Sequence, residues 1–238
     1  MKRSKNWIWL ILVVFPTLLA AEPFTAGLSA LSREHAATAF RSWMKVAEKG
    51  DPEGQNNVAY LYERGMGIKQ NFEKAEAWYE LAADNGLPVA MYNLAMLTYK
   101  GHINNRDTRK SVDWLKKASD AGHTPSIYML GVLYMRGEGI FKNVEKAFEL
   151  FLKAAKRGDV RSQYMVGYIY QSGMLDPDEK SDSERGYLWS AMALINGFEK
   201  SRDVMINAAR KMTSNQEAVL IEKAKKCVES DYNECEML

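Results

Sequence analysis

The sequence is poor in the residues from which most active sites are built. Three histidines occur in 238 residues, His35, His102 and His123, and none lies four residues from another, which excludes a helical zinc pair. No G-x-S-x-G elbow is present to raise a serine nucleophile. Gly65-Met66-Gly67 and Gly137-Glu138-Gly139 lack the third glycine and the preceding strand of a phosphate cradle. The acidic stretch holding Asp176, Asp178, Glu179, Asp182 and Glu184 has neither EF-hand spacing nor the loop glycine. No metal, cofactor or catalytic residue is expected from these patterns.

Charge of one sign is also missing. Lys and Arg number 32 against 30 Asp and Glu, interleaved along the chain, so the basic excess that follows phosphate backbones is absent and nucleic acid is not an expected partner. Long apolar runs are absent after the first twenty residues. At the start, Lys2, Arg3 and Lys5 precede the run from Trp7 to Leu19, and Ala20 and Ala21 follow. That run is shorter than the roughly 20 residues needed to cross a bilayer, and with its basic flank it reads as a secretory signal over residues 1–21, cut after Ala20 or Ala21. No cysteine follows the run for lipid attachment, so the expected location is the periplasm or outside the cell, without stable membrane insertion. Loss of the leader turns the formal charge of +2 into about −1.

Only two cysteines occur, Cys227 and Cys235. Their spacing is not C-x-x-C and no histidine is near, so in an oxidising compartment they are expected to form a disulfide that staples the tail to the last helix.

What the sequence has is repetition. Gly65, Gly101, Gly137 and Gly173 recur every 36 residues, and so do Gly50, Gly86, Gly122 and Gly158, with Gly197 after a longer step. A period of this size marks stacked supersecondary units, and two glycine series mark two helices per unit. One helix is expected over residues 75–85, 112–121, 147–157 and 187–196. There Trp78, Trp114 and Phe151 alternate with Ala82, Ala118 and Ala154, aromatic knobs against small residues. The other is expected over 55–64, 90–100, 126–136 and 162–172, where Ala59, Ala95, Gly131 and Gly167 share one position. A helical glycine costs about 1 kcal/mol relative to alanine, so a neighbouring helix should pack on the backbone there. Tyr60, Tyr62, Tyr168 and Tyr170 in the same helices read as core or interface packing. Ile68, Ile103 and Ile140 should plug the gaps between units, and the longer linker 174–185 should form a surface loop. Thr213 or Ser214 is the expected N-cap of a last helix reaching about Val228, and Ser214 with Glu217 has capping-box spacing.

With A-x-A-W-Y-x-x-A-A-x-x-G at Ala75–Gly86 and Y-x-L-G-x-L-Y-x-x-G-x-G at Tyr128–Gly139, the chain resembles the Sel1-like repeat family, relatives of the tetratricopeptide repeats. The resemblance implies an all-α, right-handed α-solenoid of four to five helix-pair repeats. It would be flanked by an N-terminal capping region over 22–38 and a C-terminal capping helix and disulfide tail over 214–238, with the array at 39–213. It also implies a non-catalytic adaptor for a protein or peptide. Helix-pair arrays bind on their concave face, and the candidate contact positions are Glu76, Glu80, Asp113, Lys116, Lys117, Glu149 and Lys153. A cell-envelope hydrolase or weak β-lactamase is the alternative; the secreted members linked to that activity carry a cysteine pair in each repeat, which this chain lacks.

Overall fold

The computed structural model describes residues 25–31, 35–103, 107–178, 180–232 and 235. The expected signal segment lies outside them. After a short helix over 25–31 (α1), the chain runs through α2 (Ala36–Ala47), α3 (Pro52–Arg64), α4 (Phe72–Asp84), α5 (Pro88–Lys100), α6 (Thr108–Asp120), α7 (Thr124–Arg136), α8 (Val144–Ala155), α9 (Val160–Ser172) and α10 (Ser183–Ile195). A 3-10 turn (Glu199–Ser201), α11 (Arg202–Ala209) and α12 (Ser214–Glu229) complete it. No strand occurs among the described residues.

The helix ends follow directly from residue chemistry. Helices α3, α5, α7 and α9 stop at Gly65, Gly101, Gly137 and Gly173, whose φ of 66 to 72° an L side chain rarely adopts. Asp51, Asp107, Asn143, Asp159 and Asp182 cap the helices that follow them by accepting from the third backbone N–H. Pro52 and Pro88 open α3 and α5, where the missing N–H costs nothing. The sequence pattern places the stops of α3, α5, α7 and α9 correctly and those of α4, α6, α8 and α10 one or two residues late, and all eight starts two to four residues late, because caps and prolines lie outside the apolar periodicity.

Packing divides the chain into two compact units, Met1–Trp78 and Tyr79–Leu238, with the division inside α4. In the first, Ala39, Trp43, Ala47, Val58 and Leu61 form the core, joined by Phe40, Tyr62, Ile68 and Trp78. α1 is held by close approach, since a Cβ on Gly27 would overlap the Trp43 indole.

In the second unit consecutive helices pair α5 with α6, α7 with α8 and α9 with α10. One cluster joins Ala95, Leu115, Ile127, Leu130, Leu133 and Leu150; another joins Phe151, Val166, Ile169, Trp189, Met192, Leu220 and Cys227. The helical glycines sit where expected: a Cβ on Gly131 would lie 2.8 Å from Cε1 of Phe151, and one on Gly167 would lie 3.1 Å from the Gly186 carbonyl oxygen and overlap Ser190 Oγ. Ile103 is buried, Ile68 and Ile140 pack against the adjoining cores, and Cys227 and Cys235 are joined. The last cap differs in detail. Thr213, not Ser214, is the N-cap, and its capping box closes on Gln216 rather than on Glu217.

Candidate functional site

Charged positions on α6 and α8 point outward. Asp113, Lys116, Lys117, Glu149 and Lys153 are exposed, and Glu76 and Glu80 on α4 are half-buried. Several are engaged locally: Lys110 lies 3.6 Å from Glu80, Lys146 Nζ meets Glu149 at 2.6 Å, and the Lys117 ammonium sits 4.0 Å from the Trp114 ring centroid. These contacts are typical of solvated helix surfaces and contribute little each.

A more organised surface lies on α5, α7 and α9. Residues spaced i, i+4, i+7 share one helix face, which here carries Tyr92, Met96 and Tyr99, then Tyr128, Val132 and Met135, then Tyr164, Tyr168 and Gln171. All are half-buried except Tyr168, which is exposed. The tyrosine opening each row rests on the start of the next repeat. Tyr92 meets the His123 ring at 5.2 Å between centroids, the Arg161 guanidinium lies 4.2 Å from the Tyr128 centroid, and Tyr164 meets Phe198 at 5.5 Å. Tyr164 also stacks on Tyr168 at 6.3 Å.

Electrostatics follow from this packing. Burial works against the charge of Arg161, but the 2.7 Å hydrogen bond it donates to Asp159 and that carboxylate's charge win, so its pKa is raised. Burial raises the Tyr128 phenol against the opposing pull of Arg161. Asp159 is itself fixed, accepting at 2.8 Å from both the backbone N–H and the hydroxyl of Ser162. Tyr99 donates to Glu138 Oε2 at 2.7 Å, and Arg136 stands 3.7 Å from the same carboxylate. The sequence reading passed over this face because tyrosine fits a core equally well. Its legible signal is that α5, α7 and α9 contain no Asp or Glu, their charges being Lys100, Arg136 and Arg161.

Among the described residues no cluster of three His, Cys, Asp or Glu side chains is placed to hold a metal ion. Ser42 and Lys45 on α2 have the S-x-x-K spacing of acyl-enzyme hydrolases, but no S-D-N or K-T-G companion occurs. A shallow recess of about 220 Å³ is lined by Tyr170, Leu175, Asp182 and Arg185, in which Asp182 caps α10 and pairs with Arg185 at 3.4 Å. Among the described residues no helix is long and apolar enough to cross a membrane.

The Sel1 repeat model matches residues 52–87, 88–123, 124–159 and 160–198. Its frame opens each unit with α3, α5, α7 or α9. Among solved structures, a protective antigen of uropathogenic Escherichia coli displaying an SLR fold is similar at 24% identity and TM-score 0.77. The alignment covers 90% of this chain and 47% of that one, so this chain spans about half its length. A Sel1 repeat protein from Oxalobacter formigenes is 22% identical with TM-score 0.71, over 90% and 91% of the two chains. An immunity protein from Pseudomonas aeruginosa is 19% identical with TM-score 0.51, over 90% and 81%. Among curated proteins there is no match.

Proposed function

This chain belongs to the Sel1 repeat family, and we propose that it is a non-catalytic scaffold, exported to the periplasm or beyond, that holds a protein or peptide partner on the concave face of its repeat array. Sel1 repeats generally mediate protein–protein interaction. The single observation that carries the proposal is the α5–α7–α9 face, where half-buried tyrosine and methionine rows keep partial exposure while packing on the adjoining cores, and the three helices contain no Asp or Glu. Interfaces are enriched in aromatic residues, Met and Arg and depleted of Asp and Glu. The charged positions Glu76, Glu80, Asp113, Lys116, Lys117, Glu149 and Lys153 form the competing contact set on the partner helices.

Crosslinking in intact cells separates the two sets. Tyr128→Ala with Tyr164→Ala should remove specific crosslinked bands, and charge reversal at Asp113, Lys116, Glu149 and Lys153 should leave them. The opposite pattern moves the binding face to α6 and α8. Export is supported by the basic, apolar and small-residue order of the first 21 residues and by the Cys227–Cys235 disulfide. N-terminal sequencing of the mature protein should read from Ala21 or Glu22. Turnover of nitrocefin, lost on one Ser or Glu substitution, would instead establish a hydrolase.

A further inference from the structure

We infer that the Cys227–Cys235 disulfide is a redox latch: closed, its tail holds the turn on which Tyr164 packs, and opened by a protein dithiol it lets that turn go. The effect on a partner rests on the reading of the α5–α7–α9 face as the binding surface; the latch itself does not.

Backbone strain is the first observation. Among the described residues Asp231 and Tyr232 are the non-glycine positions with positive φ, at 50 and 65°, and both lie inside the loop that the disulfide closes. Aspartate tolerates this region, whereas a side chain as bulky as tyrosine adopts it only at a cost. Such a conformation persists where the surrounding structure over-determines it, and the bridge is the covalent part of that hold. The second observation is what Tyr232 grips. Its ring covers Gly158, and its hydroxyl accepts from Asn196, two residues before Phe198, the ring against which Tyr164 rests at 5.5 Å between centroids. The third is the asymmetry of α12. At its start Gln216 Nε2 donates to Glu184 at 3.1 Å and Lys211 Nζ to Ser181 at 2.6 Å, and along its length Leu220, Ala224 and Cys227 seat it in the core. Opening the bridge therefore frees the residues after the helix and leaves α12 in place.

Cys227 is buried and Cys235 half-buried, so an incoming thiolate attacks Cys235 Sγ. The S–S bond breaks, its electron pair leaves with Cys227 Sγ, and that sulfur takes up a proton. The reductant's second thiol then attacks the mixed disulfide, closing its own disulfide and returning Cys235 as a thiol. Two electrons and two protons pass to the chain. Release of the left-handed backbone at Tyr232 favours the open form, and strained bridges are the labile ones.

The test equilibrates the folded, full-length mature protein with reduced and oxidised glutathione, quenches by thiol alkylation and counts blocked cysteines by mass spectrometry. Reduced glutathione should open the bridge without denaturant. Tyr232→Asn and Tyr232→Ala both lack the ring, but asparagine tolerates the left-handed region, so the Asn variant should favour the disulfide about fivefold or more over the Ala variant. Reduction should speed amide exchange over residues 196–198, and Cys235→Ser, held open, should lower the yield of partner crosslinks in intact cells. A bridge that opens only in denaturant overturns the inference, as do equal equilibria of the Asn and Ala variants or exchange at 196–198 unchanged by reduction. Undiminished crosslinks in Cys235→Ser overturn the link between latch and partner. Absence of crosslinks in the unaltered protein counts against the binding face, while the glutathione and exchange results still decide the latch.

Discussion

The phenol oxygen of Tyr232 accepts a 2.7 Å hydrogen bond from Asn196 Nδ2, which also reaches Gln163 Oε1 at 3.2 Å. The tyrosine ring lies over Gly158, where an added Cβ would come within 3.1 Å of Cε2. One repeat earlier the arrangement is different in residues and alike in position, because Arg157 Nη1 donates to the Gly122 carbonyl at 2.7 Å. Gly122 and Gly158 are thus each covered by a side chain from further along the chain, whereas a Cβ on Gly50, Gly86 or Gly197 would meet nothing within 4 Å. At the last of these joints the tail supplies it. Tyr232, with φ of +65°, is held there by its N–H to the Cys227 carbonyl at 2.9 Å and by the Cys227–Cys235 disulfide.

Opening that disulfide should loosen the end of the array and leave its middle intact, since repeat units depend on their immediate neighbours. For a loop of this size chain entropy assigns the bridge about 2–3 kcal/mol. Cys227→Ser with Cys235→Ser should speed amide exchange in α10 and α12 with α5 and α6 unchanged. Tyr232→Phe should reproduce a smaller part of the effect, about 0.5–1 kcal/mol. Uniform protection in all variants would show that the tail does not brace the array.

Ser190 presents a sharper test of packing. Its side chain is fully buried, its hydroxyl has no hydrogen-bond partner, and it fills the space a Cβ on Gly167 would occupy. Gly167→Ala should destabilise by about 1–3 kcal/mol, overpacking outweighing the gain in helix propensity. Ser190→Ala removes an unsatisfied polar atom and should be neutral or stabilising by about 1 kcal/mol. The double variant should recover most of the Gly167→Ala loss. Strict additivity in urea melts would contradict the contact.

At the α12 N-terminus, Thr213 is extended with ψ of 156°, accepts from the Gln216 N–H at 3.3 Å, and its own N–H is taken by Gln216 Oε1 at 2.9 Å. Thr213→Ala should cost about 1 kcal/mol and Ser214→Ala far less. Thermal melts of the two variants decide between them.

His123 carries a pH dependence. Burial lowers its pKa from the usual 6.5, and its Nδ1 lies 2.8 Å from Ser126 Oγ. Below pH 6.5 the unfolded chain takes up a proton that the folded protein refuses, so stability falls with pH from there down to the folded-state pKa. His123→Asn should flatten the stability profile in that window. Proton NMR of His123 should give a pKa under 6.5.

Much of the fold was written in the sequence. Glycine positions mark where helices end because few other residues adopt those angles, and Gly131 and Gly167 announced the close approach of Phe151 and Ser190. The choice between Thr213–Gln216 and Ser214–Glu217 was not legible, because both pairs have the right spacing and only the backbone at Thr213 separates them. Nor does a periodic sequence mark its own origin, which is why the helix pairs can be counted from either member. The charged positions looked available because each was read singly; Trp114 and Lys146 engage Lys117 and Glu149 from three residues away on the same helix, and Lys110 engages Glu80 from another helix. The tyrosine face stayed hidden for another reason. Tyr92, Tyr128 and Tyr164 lie 36 residues apart, and their side chains suit a core and a contact surface equally, so only three helices set side by side show what the acidic residues avoid.

The recurring glycines make this chain a molecule of adjustable length. A 36-residue segment copied in register at Gly122 would bring a new arginine to cover the old glycine and a new tyrosine row to extend the surface, whereas a segment of any other size would have to be absorbed in a linker. The longer loop before α10 shows that accommodation, moving the next helix-ending glycine to Gly197 while Asp182 still caps the helix. Growth by duplication is therefore inexpensive for this architecture, and the number of rows, more than the identity of any one residue, sets how long a partner segment it can measure out.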